Sequence, residues 1–423
     1  MAHSSIDVTA LKAAGPDLER RYEAFKGKKL ALDMTRGKPC PEQLDLSNAL
    51  LTNLGPDDYR AADGTDCRNY GGLDGLPEAK ALFADFMEVS QTEILVGDNS
   101  SLALMHDAVS RALSHGVPGG DGPWSRGPVK FLCPAPGYDR HFAITEHFGI
   151  EMLTVDMTDE GPDMDHVEAL AAGDPAVKGI WLVPKYGNPT GVTCSDSVVQ
   201  RFATMKTAAR DFRVFWDNAY AHHHLTDSPP VLANVLDACK RASNPDRVFL
   251  FGSTSKVSFA GAGIAVMGGS ERNVGWLRAH RSKSTIGPDK LTQLRHVRFF
   301  GDMNGVREHM KKHAAILKPK FDAVDRVLSR ELGETGLASW TRPQGGYFVS
   351  LDTLGGLARG VVKMAADVGV KLTEAGATYP YGKDPRDRNI RLAPSLPKLP
   401  EIEAAMEVVA VCIKRASLQK LAG

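Results

Sequence analysis

One feature limits the possible folds of this chain more than any other, a repeated alternation through its middle. Short apolar, β-branched runs, VKFLCPA (129–135), EMLTVDM (151–157), GIWLVP (179–184), FRVFWDNAY (212–220), RVFLFGS (247–253) and GIAVMGG (263–269), alternate with segments of helical spacing such as DSVVQRFATMKTAARD (196–211). Runs that are apolar along their length are buried on both faces, which requires helices above and below the strands. The expected fold class is α/β, with a largely parallel sheet. The polar, helix-favouring stretch from Gly301 to Leu332 predicts a long helix joining two domains. Beyond it WTRPQGGYFVSLD (340–352), VGVKLTEAGATYP (368–380) and NIRLAPS (389–395) read as strands, and LPEIEAAMEVVAVCIKRASLQK reads as a helix. A smaller α+β domain therefore closes the chain. DGPWSRGP (121–128) and YGKDPRDR (381–388) read as surface loops.

With 423 residues, 43% of them hydrophobic, the chain can bury a core larger than one ordinary domain. Its 51 Lys plus Arg balance 51 Asp plus Glu, so no net field draws it to nucleic acid or to an anionic membrane, and small-molecule partners are expected. The six cysteines, Cys40, Cys67, Cys133, Cys194, Cys239 and Cys412, are scattered with no CxxC pair. That argues against a disulfide framework or zinc knuckle and for a reducing, cytoplasmic setting. The opening MAHSSIDVTALKAAGPDLER has no apolar core of signal-peptide length, and no run reaches the roughly 18 apolar residues that span a bilayer.

Chemistry gathers where the apolar runs end. Ser253-Thr254-Ser255-Lys256 closes one run and is followed by Phe259-Ala260-Gly261-Ala262-Gly263 before the next. A lysine among hydroxyls and glycines is placed to meet a ligand, and burial beside a cationic or electron-poor group frees its amine for Schiff-base chemistry. The hydroxyls can hold a phosphate and the glycines permit close backbone approach. Alone, the same string describes a surface lysine at a strand end. Asn188-Pro189-Thr190-Gly191 is a turn whose Asn amide can donate to a ring oxygen or simply serve the turn. Asp217 and Tyr220 end the run FRVFWDNAY. A carboxylate there is costly unless it meets a cation, such as a protonated pyridine nitrogen, or caps the following turn. Asn99, Ser100 and Ser101 open SLALMHDAVSRAL, where they can cap a helix or turn its amides toward an anion. His222-His223-His224 cannot all face one ion, so they read as a loop and no metal site is expected. GAGIAVMGG lacks the GxGxxG order of a dinucleotide fingerprint.

The order and spacing of NPTG, DNAY and STSK resemble the fold-type I pyridoxal phosphate enzymes, in particular the class I aminotransferases, over nearly the whole chain. Met34-Thr35-Arg36-Gly37-Lys38-Pro39, SKSTIGPDK (282–290) and Gln293-Leu294-Arg295-His296 look like the divergent bacterial aspartate aminotransferase subgroup. The resemblance implies a large cofactor-binding domain (49–310) with a mostly parallel seven-stranded sheet. It also implies a small α+β domain (311–423) and an N-terminal segment (1–48) that joins the small domain.

It further implies pyridoxal 5'-phosphate carried on Lys256, which also moves the proton at the substrate α-carbon, and Asp217 keeping the pyridine nitrogen protonated. Asn188 and Tyr220 would bond the ring hydroxyl oxygen. Tyr138 would stack on the ring and His141 would support Asp217, the plain alternatives being a core aromatic and a satisfied buried histidine. Ser253, Ser255, Asn99, Ser100 and Ser101 would hold the phosphate, with Tyr70 reaching it from a neighbouring subunit, so a homodimer with shared sites is implied. Arg391 in NIRLAPS would clamp the substrate α-carboxylate, a task that suits a planar guanidinium. Gly37 would sit at the substrate, and Arg36, Arg281 and Lys283 are candidates for a second carboxylate. One departure stands out: most members carry an arginine eight residues after the lysine, where this chain has Ile264, and Arg281 and Lys283 are the nearest cationic substitutes in sequence.

The implied reaction is ping-pong transfer between an amino acid and a 2-oxo acid, with aspartate and 2-oxoglutarate the first pair. Another amino-acid substrate, a β-lyase, or a non-catalytic regulatory module are the alternatives. The regulators carry a long N-terminal winged-helix domain and a basic recognition helix, neither of which is legible here.

Overall fold

The computed structural model describes residues 6–422; residues 1–5 of the expected N-terminal segment, and Gly423, lie outside them. In chain order the strands are β1 (Leu32–Asp33), β2 (Ile94–Val96), β3 (Lys130–Ala135), β4 (Glu151–Thr158), β5 (Gly161–Pro162), β6 (Val177–Leu182), β7 (Arg213–Asp217), β8 (Val248–Ser253) and β9 (Ala265–Gly269). After a long helix follow β10 (Ala338–Trp340), β11 (Val349–Thr353), β12 (Val370–Lys371) and β13 (Asn389–Leu392).

The main sheet runs β2-β9-β8-β7-β6-β3-β4-β5. Strands β4, β3, β6, β7 and β8 pair in parallel, while β9 is antiparallel to both β2 and β8. The expected seven-stranded, mostly parallel sheet is therefore present, and the two-residue β5 adds an antiparallel edge to β4. Each of the six apolar runs contains a strand. β2, three fully buried residues, is too short to show a period and was not read from the sequence.

Alternation within the strands explains how the site is placed. Trp181, Phe215 and Phe249 sit in register across β6, β7 and β8 and are almost fully buried, with Trp181–Phe215 and Phe215–Phe249 ring centroids 4.6 and 5.5 Å apart. Asp217 lies two residues beyond Phe215, so its side chain leaves the same face just as the strand ends. The opposite face carries Ile180, Val214, Trp216 and Leu250 into a separate core with Phe202 and Leu236 from the covering helices.

The helix Met303–Leu332 is 30 residues long and starts where the side chain of Asp302 accepts from the amides of Asn304 and Gly305. Its first half (Met303, Val306, Met310) packs into the large-sheet core. Its second half (Leu317, Val324, Leu328) packs into another core, shared with Tyr22 and Phe25 near the N-terminus, β11, β13 and the closing helix Leu399–Ala422. There β10, β11 and β13 form an antiparallel sheet, and β1 pairs in parallel with β12.

Several expectations are corrected. The helix expected over 196–211 stops at Thr204. The stretch 340–352 is broken between Trp340 and Val349, where Gly345 and Gly346 press on Tyr186; a Cβ on Gly345 would lie 2.3 Å from that ring. In 368–380 only Val370–Lys371 is strand. Both expected surface loops are largely exposed, each pinned by one buried residue: Trp124 Nε1 donates to Asp211 at 2.8 Å, and Asp384 accepts from the amides of Arg386, Arg388 and Asn389. Among the described residues no helix is long and apolar enough to cross a membrane.

Candidate active site

At the carboxyl ends of β6, β7 and β8 the sequence-expected residues converge. Asp217 is 2% exposed, and its Oδ2 accepts from His141 Nε2 at 3.0 Å. The His141 ring stacks on Trp181 at 4.7 Å, and Trp181 Nε1 donates to Thr145 Oγ1 at 2.7 Å. Asp217 Oδ1 is buried with no partner. Tyr138, partly buried, meets the His141 ring edge-on at 4.9 Å, and burial with the nearby Asp217 charge pushes its phenol well up.

Lys256 follows β8 with its Nζ 4.8 Å from the Tyr220 ring centroid. Desolvation lowers its ammonium pKa, and the Asp217 carboxylate opposes that in part. Burial likewise drives the Tyr220 phenol far up, so at neutral pH it is a hydrogen-bonding hydroxyl.

The backbone at Lys256 is braced by groups that sequence reasoning missed. Its carbonyl accepts from His223 at 3.2 Å and from the Tyr347 hydroxyl at 3.4 Å. The Tyr347 hydroxyl accepts in turn from Gln43 Nε2 at 3.0 Å. On the other side Ile264 N donates to Thr254 Oγ1 at 2.8 Å. His296, whose Nδ1–H donates to Thr292 O at 2.7 Å, takes the Ser258 hydroxyl on its Nε2 at 2.7 Å. The three consecutive histidines diverge: His222 to Phe86 O, His223 to Lys256 O, His224 to the Tyr186 hydroxyl. A buried middle histidine in such a run was the one available signal.

Toward the other end, Ser100 caps the helix Ser101–His115 by accepting from Ala103 N at 3.1 Å. Asn99 Nδ2 reaches the carbonyls of Ala260 and Gly261 at 3.4 and 3.3 Å. Ser255 Oγ donates to Asn99 O at 3.4 Å, and Ser253 Oγ donates to Ser255 Oγ at 3.1 Å. Segments 99–101 and 253–256 thus form one hydroxyl- and amide-rich cradle. Ile264 is 1% exposed and offers it no charge. Arg281 is buried and donates to Val96 O at 3.4 Å, three residues before Asn99; burial lowers its guanidinium pKa, opposed by the charges of Asp98 and Asp107. Lys283 is exposed. Tyr70, 82% exposed, lines a surface cleft of about 620 Å³ with Ile286, which is 61% exposed.

Arg391 projects from β13 and is 8% exposed. Its Nη1 donates to Asp139 Oδ1 at 2.7 Å and to Asn188 Oδ1 at 3.4 Å, and the guanidinium lies 4.9 Å from the Phe348 ring centroid. Gly37 closes that ring's other contact: a Cβ there would lie 2.1 Å from Phe348 Cζ. Phe348, Asp139 and Thr35 were not read from the sequence. Thr35, Thr373 and Arg391 line a cleft of about 490 Å³. Arg36 is exposed beside it and loosely paired with Asp33 at 3.7 Å.

A buried, half-partnered carboxylate, a desolvated lysine, a hydroxyl- and amide-rich cradle and a buried arginine thus gather around the carboxyl ends of these strands. Comparison with known proteins gives the chain a family. The family model described as aspartate amino-transferase matches residues 6–423. An aspartate aminotransferase of Corynebacterium glutamicum is 48% identical over 407 residues, covering 96% of this chain and 94% of that protein. The crystal structure of an aspartate transaminase from Corynebacterium glutamicum superposes with a TM-score of 0.96 at 47% identity, covering 99% of both chains. The fold is also that of an α-aminoadipate aminotransferase of Thermus thermophilus, solved with N-(5'-phosphopyridoxyl)-L-leucine, at a TM-score of 0.74 and 21% identity over 92% of this chain and 93% of that one. The architecture is the fold-type I one, and with its family matched from residue 6 to 423 the chain belongs to the aspartate amino-transferase family and is an aminotransferase, acting on amino acids and 2-oxo acids.

Proposed function

We propose that this aminotransferase uses pyridoxal 5'-phosphate held on Lys256 and exchanges the amino group between aspartate and 2-oxoglutarate in two half-reactions. The observation that carries the cofactor is Asp217: Oδ2 is held by His141 at 3.0 Å while Oδ1 is buried without a partner. A buried, unpaired carboxylate oxygen is costly, and a protonated pyridine nitrogen supplies both the missing donor and the opposite charge. When bound, the pyridoxal ring supplies an electron sink for the carbanion at the substrate α-carbon.

The chain's own residues do the rest. His141 and the Trp181 stack stop Asp217 from turning away. Lys256, its charge disfavoured by burial, takes and returns the α-proton through Nζ. Asn188 accepts from Arg391 through Oδ1, which leaves its Nδ2–H for the ring oxygen, and the Tyr220 hydroxyl serves the same oxygen. Tyr138 would lie over the ring. The amides opening Ser101–His115, with Asn99, Ser100, Ser253 and Ser255, would hold the phosphate, and the Arg281 charge would offset the loss of an arginine at Ile264. Arg391, flattened on Phe348, grips the α-carboxylate. Of the cations weighed for a second carboxylate, Arg36 lies on the Arg391 side.

The aspartate preference is supported by the 48% identical relative of that name. A homodimer is supported by Tyr70 and Ile286, large side chains exposed together on one surface cleft. The two cores support a division into 49–310 and 311–423 with 1–48 attached to the smaller part. The six free, buried cysteines suit the cytoplasm. Purified holoenzyme given aspartate and 2-oxoglutarate should form oxaloacetate and glutamate; turnover only with other amino donors would reject the substrate assignment. Sedimentation should give a dimer.

A further inference from the structure

Asp139 lies inside the site, and no role given above uses it. It opens the helix Asp139–His147, and its Oδ1 is 2.7 Å from Arg391 Nη1, the same donor that faces Asn188. The contact sets a carboxylate of this chain on the arginine read as the grip for the substrate's carboxylate. The two groups have the same chemistry, so they compete.

The partners are unequally fixed. Arg391 is 8% exposed in its side chain, anchored in β13 and laid on Phe348, whereas the Asp139 side chain is 33% exposed. Asp139 also has somewhere else to go. Tyr138, preceding the helix, provides no side-chain cap; the His141 amide donates to the Tyr138 carbonyl at 3.0 Å, and at the first helical position the helix dipole favours a carboxylate turned toward the helix end.

We infer that Asp139 is a competing internal carboxylate, one that occupies Arg391 between turnovers and yields to the α-carboxylate of the amino acid or 2-oxo acid. The inference rests on Arg391 being the substrate-carboxylate residue. Its consequence is selectivity. Any ligand must displace an ion pair before it is held, so a simple monocarboxylate with nothing else to grip is held weakly, while a substrate with a second carboxylate has a further anchor with which to compete. Competition of this kind weakens binding in ground state and transition state alike, so it raises KM rather than lowering kcat.

The test uses wild-type holoenzyme and the variants Asp139→Asn, Asp139→Ala and Arg391→Lys. Succinate and propionate are titrated against the cofactor's visible absorbance, and aspartate kinetics are measured alongside. Both Asp139 variants should lower the KM for aspartate and the Kd of succinate and propionate, by about tenfold for loss of one partly exposed, charge-assisted hydrogen bond, with kcat moving far less. Unchanged or raised KM and Kd in both variants would overturn the inference, because Asp139 would then merely orient Arg391. Arg391→Lys should weaken succinate binding with Asp139 intact. Unaltered succinate binding in that variant would reject the reading of Arg391 itself, whatever the Asp139 variants do.

Discussion

His141 Nε2 stands 3.0 Å from Asp217 Oδ2, with the imidazole stacked on Trp181 at 4.7 Å. The carboxylate is thereby fixed at one oxygen and bare at the other, Oδ1. Replacing Asp217 with Asn removes the charge that would keep a ring nitrogen protonated. Asp217→Asn should lower kcat by about 100-fold or more, whereas His141→Ala, which leaves the carboxylate but lets it turn, should cost about tenfold. Steady-state kinetics on the two variants, with cofactor occupancy checked by absorbance, decide it; equal and small losses would remove Asp217 from the chemistry.

Lys256 has no carboxylate within ion-pair distance among the described residues, and burial disfavours its charge. Its amine is therefore both nucleophile and proton carrier in the proposed reaction. Lys256→Ala should abolish the visible band of the lysine-bound cofactor and lower turnover by about 10²–10⁴-fold, the usual worth of a positioned acid–base group. A band that persists would place the cofactor elsewhere.

Gly37 is constrained by Phe348 rather than by its own backbone: a Cβ would lie 2.1 Å from the ring. In Gly37→Ala the ring must shift, and Arg391, 4.9 Å from its centroid, loses its platform. The KM for amino acid and oxo acid should rise about tenfold with thermal stability lowered by about 1–3 kcal/mol, the range for overpacking a close contact. Unchanged KM with lowered stability would mean that Phe348 serves packing alone.

The legibility of this chain divides along physical lines. The sheet was readable because β3, β6, β7 and β8 have apolar centres, a signal that parallel strands buried on both faces produce and loops do not. Asp217, Lys256 and Asn188 were readable because polar residues at the ends of such strands are conspicuous. The bracing roles of Gln43, Tyr347 and His296 were not, since Tyr347 reaches the Lys256 carbonyl, Gln43 holds Tyr347 and His296 takes the Ser258 hydroxyl, all from segments far away in sequence. Such bracing leaves no local pattern. Asp139 was hidden differently, as an ordinary helix-opening acid whose partner lies 252 residues away. The break between Trp340 and Val349 was missed because β-favouring side chains flank glycines that are needed against Tyr186.

The braces around Lys256 also carry a pH dependence. His296 and His313, the latter 2.9 Å through its Nδ1 from the Gln43 Nε2 that also reaches Tyr347, are each 1% exposed, and burial pulls both down to about 4, aided at His313 by the neighbouring His309 and opposed at His296 by the Thr292 carbonyl. An unfolded histidine titrates at about 6.5. Between those values the unfolded chain binds protons that the folded chain refuses, so stability rises with pH across the window. The contribution of each histidine is complete above about pH 6.5 and is lost as pH falls toward about 4, on the order of 3 kcal/mol apiece. Urea unfolding of the holoenzyme at pH 7.5, 6 and 5 should show falling midpoints, and His296→Gln should flatten that slope by about one proton. Because His296 holds Ser258 directly after the lysine turn, cofactor release should track the same decline in the wild type. A slope unaltered in His296→Gln would mean that this histidine binds protons alike in the folded and unfolded chain and that burial does not hold it neutral.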